Sequence, residues 1–249
     1  VYEIPQLTIP PQINKMYIND LSPEKSVVKY QLDNGIQTFV ISWKNPSRDQ
    51  GHWDMADYVN SCREAMEAVR TITGSKKVNV SAGCSGGQTA SMLASKMASD
   101  KDDLLGALTL MVCVLHPKQN DIEAGSLVSK NGLELAKRRA AKKGVIKGDD
   151  LARGFAWLRP NDLIWNYVIN NYLLGRVPPP FDLLYWNSDS TRMPAMMHSF
   201  YLRNTYLENR LVEPGGISLA GVPIDLGAIK VPTYILATRE DHIAPWKSV

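Results

Sequence analysis

The sequence predicts an α/β fold built on a mostly parallel sheet, and three observations carry that prediction. Short apolar and β-branched runs alternate with helical stripes through the first 115 residues, the pattern of strands joined by crossover helices. One of those runs, IQTFVISW (36–43), is almost continuously apolar, as in a strand covered on both faces. A glycine-flanked turn, VSAGCSGGQT (80–89), stands where a strand hands over to a helix.

The elements follow in order. QLTI (6–9) is a first short strand, and Pro10-Pro11 begins a loop. Ser22-Pro23 predicts a helix start, a capping hydroxyl followed by proline at the first helical position. That helix is expected to end at Asn34-Gly35, where glycine accepts a left-handed turn. After the 36–43 strand, Met55, Tyr58, Val59, Cys62, Met66, Val69 and Ile72 recur at spacings of three and four, a helix stripe closing at Gly74. KVNVSA is the next strand, a helix runs from Cys84 to about Ser99, and LLGALTLMVCVL (104–115) is a further strand. From about 116 to 205 the alternation stops. LELAKRRAAKKGVIK is basic and helical in pattern, and the stretches after it are rich in Trp, Tyr, Met and Pro, which predicts an insertion over the sheet. The pattern resumes at VPTYILATREDHIAPW, where TYILA is a strand that delivers Asp241 and His242 into a loop.

Composition narrows the function classes. With 249 residues, 44% apolar and 21% charged, the chain can bury one substantial core. A formal charge of +3 is too mild to imply nucleic acid. No segment approaches the roughly 18 apolar residues of a membrane span, and the opening VYEIPQLTIPPQ has no signal-peptide pattern. Cys62, Cys84 and Cys113 cannot all pair and have no zinc-ligand spacing, so no metal or cofactor is expected and a reducing cytosol is the simplest setting. The chain opens without methionine and stops just past IAPW, and it reads as a fragment of a longer protein.

The cysteine turn has the chemistry of a nucleophile elbow. Small residues must flank the nucleophile in so tight a bend, and Ala82, Gly83, Gly86 and Gly87 do so around Cys84. The Ser85 N–H would form half of an oxyanion hole, the other half coming from the loop after the first strand near Gln12 and Ile13. A helix N-terminus also favours a thiolate. The plainer reading of Cys84 is a small buried filler. Asp241, at the end of a later strand, fits the acid of a triad in the chain order nucleophile, acid, base. No histidine follows His242, which is adjacent to Asp241 and a poor base. His116 stands at the end of the strand after the nucleophile helix, either at the mouth of the site or as an ordinary loop cap. The triad is incomplete. Cys62 and Cys113 lie on apolar faces and receive no role.

Taken with PPQINKMYINDLSPEKSVVKY, FVISWKNP, GCSGG, RPNDLIWNYVINNYLLG, FDLLYWNSDSTRMPA, YLRNTYLENRL and ATREDHIAPW, the chain resembles the polyhydroxyalkanoate (PHA) synthases over nearly its whole length. The resemblance implies an α/β-hydrolase core (1–115 and 206–249) with a mostly helical cap (116–205). It implies Cys84 as acyl-carrying nucleophile, Asp241 as the acid supporting a base histidine that lies beyond Val249, Ser85 and Ile13 as oxyanion donors, and His116 and His242 near the site mouth. The substrate would be an (R)-3-hydroxyacyl-CoA thioester, the acceptor a growing polyester chain, the assembly a homodimer, and the place the surface of a cytoplasmic granule. The family usually has glycine where Ala82 stands and aspartate where His116 stands. A cysteine nucleophile suits transfer, since exchanging one thioester for another keeps the acyl group activated for an alcohol. Trp157, Trp165, Tyr167, Tyr185 and Trp186 are expected to pack within the cap, and the basic run from Lys137 to Lys147 to be a solvated helix face. The alternatives are a thiol-dependent esterase or lactone hydrolase of the same fold, and a non-catalytic module that binds granules or pairs with a full-length subunit.

Overall fold

The computed structural model describes residues 1–120, 143–151, 164–178, 182–241 and 243–249, and residues 134 and 138 singly. Its centre is a parallel sheet. Strand β1 (Gln6–Ile9) lies between β2 (Thr38–Val40) and β3 (Val78–Gly83), and β4 (Leu105–Met111) lies beyond β3. Two short antiparallel pairs stand outside it, β5 (Val145–Ile146) with β6 (Met193–Pro194), and β7 (Ile217–Leu219) with β8 (Val222–Ile224). β9 (Thr233–Leu236) completes the main sheet, whose order is β2-β1-β3-β4-β9 with every pair parallel.

Helix α1 (Val27–Asp33) connects β1 to β2, α2 (Met55–Thr73) connects β2 to β3, and α3 (Ser85–Ser99) connects β3 to β4. Such crossovers are what parallel pairing requires. Asp54 caps α2 twice over, accepting from the N–H of Ala56 at 2.8 Å and of Asp57 at 3.3 Å, while Asp57 accepts in return from the Asp54 N–H. The helix stops at Gly74, whose φ of 71° is left-handed. Its apolar stripe is buried from Met55 to Val69, and Ile72 is left exposed in the last turn. α3 is buried along almost its whole length and forms the middle of the core between sheet, α2 and the β7–β8 hairpin.

Three boundaries differ from the sequence reading. Ser22-Pro23 does not start α1; Ser26 caps it, its Oγ accepting from Lys29 N–H at 2.8 Å while donating to Asp20 at 2.6 Å. The 36–43 run is neither long nor doubly buried, because among the described residues β2 is an edge strand and pairs only with the short β1. The 104–115 run stops at Met111, because Val112 turns into a left-handed conformation.

The registers matter most for function. Ile9 pairs with Ala82, Gly83 with Met111 and Met111 with Leu236, so four strands end level with one another. The segments after each therefore gather on one rim, where ligands bind in sheets of this type. α3 comes close to that rim because Gly86 has no side chain: a Cβ there would stand 2.5 Å from the Ile9 carbonyl oxygen and 2.8 Å from that of Pro10. Gly74, although left-handed, has open space around it. Gly86→Ala is thus expected to cost about 2 kcal/mol or more, since backbone cannot yield as a side-chain tip does, and Gly74→Ala about 1 kcal/mol of conformational strain. Urea denaturation of the two variants, compared with the unsubstituted chain, checks the order.

Candidate active site

Cys84 sits at the sharpest point of the rim. It precedes α3 with φ 51° and ψ −124°, a backbone that residues with a Cβ rarely adopt. The bend is held by its N–H, which donates to the Met111 carbonyl at 3.0 Å, and by its own carbonyl, which accepts from the Gly87 N–H at 3.0 Å. Ala82, where glycine was the expected small residue, is fully buried and is accommodated. The elbow forms with it in place.

The Ser85 N–H bears on the Cys84 sulfur and favours its thiolate, while burial, the largest influence, and the nearby Asp241 charge push the thiol up from its ordinary range. The Ser85 side chain is buried, and its Oγ has no hydrogen-bond partner among the described residues. Facing it is the loop after β1. Gln12 fixes that loop from below, its Nε2 donating to Thr89 Oγ1 at 2.6 Å on α3. Thr191 fixes it from the other side, its N–H donating to the Ile13 carbonyl at 3.0 Å and its Oγ1 to the Gln12 carbonyl at 2.5 Å. Ile13 and Ser85 line one cleft with Cys84.

Asp241 is held by a tight local turn. Its Oδ1 accepts from the N–H groups of Ile243 at 2.8 Å and Ala244 at 2.9 Å, which leaves Oδ2 for another donor. Its charge is felt at Cys84, and Ile243, two residues on, lines the cleft with Cys84. His242 lies outside the described residues. His116 stands apart from the cleft lining: its N–H donates to the Ser248 carbonyl at 2.8 Å, and its Nδ1 lies 3.5 Å from Asn209 Nδ2.

The cleft has a volume of about 120 Å³ and a mainly apolar wall. Sequence reasoning missed most of that wall. Met193, His198, Tyr201, Leu202 and Tyr206 contribute to it from β6, from helix α5 (Ala195–Tyr201), which follows α4 (Asp182–Ser188), and from the π-helical turn Leu202–Leu207. The signal was present in HSFYLRNTY, where His198, Tyr201/Leu202 and Tyr206 recur at helical spacing with polar tips. Tyr201 and Tyr206 form a tilted ring pair with centroids 5.7 Å apart. Burial pushes both phenols up, Tyr206 to about 12, and a charge on Cys84 pushes each further. Burial lowers His198, which favours the neutral imidazole in the cleft.

The expected packing of cap aromatics is corrected in part. Trp165, Tyr167 and Tyr185 are exposed at the surface, whereas Trp186 is tied down, its Nε1 donating to the Lys15 carbonyl at 2.8 Å. Trp157 lies outside the described residues, as does most of the basic run; Arg138, Lys143 and Lys147 are exposed. A larger groove of about 340 Å³ runs between α3 and residues 228–231, lined mostly by apolar side chains with Asp102 and Lys230 and by no cysteine, serine or histidine. Among the described residues no His, Cys, Asp or Glu cluster can hold a metal ion, and no helix is long and apolar enough to cross a membrane.

Residues 19–249 match the family described as alpha/beta hydrolase fold, and residues 1–31 match that described as Poly-beta-hydroxybutyrate polymerase (PhaC) N-terminus. The chain is 46% identical over 248 residues to Poly(3-hydroxyalkanoate) polymerase 1 of Ectopseudomonas oleovorans, covering 100% of this chain and 44% of that protein. It is 40% identical over 252 residues to the Poly(3-hydroxyalkanoate) polymerase subunit PhaC of Cupriavidus necator, covering 99% and 43%. The chain therefore spans less than half the length of these curated relatives. Among solved structures it is similar to a hydrolase from Pseudomonas aeruginosa PA01 (TM-score 0.56, 14% identity, 100% of this chain and 77% of that one). It is also similar to the monoacylglycerol lipase of Paleococcus ferrophilus (TM-score 0.54, 12% identity, 98% and 78%). Likenesses at that identity show the fold alone.

The geometry predicts a pH signature. Because burial and Asp241 both hold the Cys84 thiol protonated, iodoacetamide labelling of Cys84 is expected to climb across the range above pH 8 and to remain slow at neutral pH. Asp241→Asn keeps an Oδ1 acceptor for the turn but removes the charge, so the rise moves to lower pH. Peptide-resolved labelling rates for both proteins, measured across the pH range, test this.

Proposed function

Because the chain belongs to the alpha/beta hydrolase fold family and is similar from end to end to poly(3-hydroxyalkanoate) polymerases, we propose that it carries the acyl-transfer centre of a polyester synthase. Cys84 attacks the thioester carbon of an (R)-3-hydroxyacyl-CoA, a carbon–sulfur bond forms, and the CoA thiolate leaves. The Ser85 and Ile13 N–H groups bind the oxygen that becomes negative in between. A hydroxyl of a second monomer or of a chain end then attacks the Cys84 thioester; the ester forms and the thiolate is released. Asp241 Oδ2 orients the imidazole that removes these protons, a histidine from outside these 249 residues. On its own the chain acylates slowly and elongates very little.

The observation that supports this reading is a sulfur held on a strained bend inside an apolar cleft, with an N–H directed at it. An apolar wall favours transfer over hydrolysis, because water must be kept from an activated acyl group. Leu151, Met193, His198, Tyr201 and Leu202, all from the stretch expected to form the cap, supply that wall. CoA is here a substrate carrier and not a resident cofactor. Granule association and pairing of two copies follow from the same reading.

The test uses an acyl-CoA that lacks the 3-hydroxyl and so cannot extend. After incubation and acid quench, mass spectrometry is expected to find one acyl group on Cys84 and an equal amount of free CoA. An adduct at any other residue overturns the assignment, and release of free acid with true 3-hydroxyacyl-CoA places the chain with the hydrolases instead.

A further inference from the structure

Beyond β4 the backbone does something a β-branched residue seldom does: Val112 takes a left-handed conformation with φ 47°. Its N–H donates to the Leu236 carbonyl at 2.8 Å, which fixes the turn to β9. The effect is to bring Cys113 back under the elbow. Cys113 is fully buried, its Sγ 3.3 Å from the Met111 carbonyl and 3.8 Å from that of Ala82. The Met111 oxygen is the same one that accepts the Cys84 N–H. The sulfur also lies so close to Gly87 that any Cβ there would overlap it. The Cys84 N–H bears on the Cys113 sulfur, and a charge on Cys84 helps hold the Cys113 thiol up at about 12, after burial as the main cause. Two thiols thus share one turn, Cys84 partly exposed in the cleft and Cys113 sealed behind it.

We propose that Cys113 is a resolving thiol for Cys84, and that a peroxide closes the pair into a reversible disulfide. The Cys84 thiolate attacks one oxygen of hydrogen peroxide; a sulfur–oxygen bond forms, the oxygen–oxygen bond breaks, and hydroxide leaves, which gives a sulfenic acid. The Cys113 sulfur then attacks the Cys84 sulfur. The sulfur–sulfur bond forms, hydroxide leaves, and the Cys113 proton converts it to water. Overall two thiols lose two electrons and two protons, and one peroxide becomes two waters. An external thiol restores both residues by exchange. The disulfide blocks the nucleophile while it lasts and diverts it from irreversible sulfinic and sulfonic acids. In a reducing compartment such a bond is transient, as expected of a redox-sensing pair. The inference rests on Cys84 being the reactive thiol of the proposed function, but on neither the acyl donor nor the polymer.

The 249-residue chain is treated above pH 8, where the Cys84 thiolate forms, with one equivalent of hydrogen peroxide, then unfolded in N-ethylmaleimide and analysed by intact mass and digest. The oxidised chain is expected to carry one maleimide, on Cys62, where the untreated chain carries three, and the Cys84 and Cys113 peptides to migrate as one species, two hydrogens lighter than their sum, that dithiothreitol separates. Cys62→Ala should leave that species intact. In Cys113→Ala, given a second equivalent of peroxide, Cys84 should pass on to sulfinic acid and lose iodoacetamide reactivity that dithiothreitol does not return, while the unsubstituted chain under the same treatment keeps the dithiothreitol-reversible link. A link through Cys62 overturns the proposal, as does over-oxidised Cys84 in the unsubstituted chain with Cys113 still free for maleimide. Acylation of Cys84 is read without oxidant, so failure of either result leaves the other interpretable.

Discussion

The bend at Cys84 is the constraint on which the molecule's arrangement depends, and one carbonyl holds it. The Met111 oxygen, at the end of β4, accepts the Cys84 N–H and thereby couples the turn after β3 to the neighbouring strand. A residue with φ 51° is unfavourable in isolation; it persists because sheet and helix over-determine it. β3 is hydrogen-bonded on both sides, α3 is buried along its length, and Gly86 lets the helix touch the backbone of the β1 loop. Strain at Cys84 is carried by a doubly paired strand and a buried helix.

That arrangement explains why the rest of the cleft is assembled from distant sequence. Level strand ends bring the loop after β1, the elbow and the Asp241 loop to a common rim. Gln12 and Thr191 then tie the loop after β1 to α3 beneath it and to the chain above. The upper wall, from Met193 to Tyr206, adds apolar surface and two phenols that respond to charge on the sulfur. An ion buried among such groups interacts strongly with each of them, so the protonation of Cys84 is a property of the whole cleft.

Legibility in the sequence followed the strength of local signals. The parallel α/β class, α2 with its apolar stripe and its Gly74 end, and α3 running from the Cys84 turn to Ser99 were readable because periodicity and glycine punctuation mark them, whereas the Asp54 cap of α2 was not read. The elbow was readable because a bend this sharp demands small residues on both sides of Cys84, and a looser turn does not. Ser26 as the cap of α1 was not, since its advantage comes from Asp20, which reaches it only in the folded turn. The edge position of β2 was hidden for a related reason: an apolar run says that a strand is covered, not how many neighbours it has. Tyr201 and Tyr206 look like packing residues until the fold aims them at Cys84, and the left-handed Val112 has no local signature at all.

β9 has a different consequence. Tyr234, Ile235 and Leu236 are 63%, 48% and 44% exposed, and β9 forms the outer border of the sheet. A greasy border with an open row of amides and carbonyls is a template for any extended segment that reaches it. In this 249-residue chain that margin is where self-association is expected, and masking it is the first requirement for keeping the material dispersed.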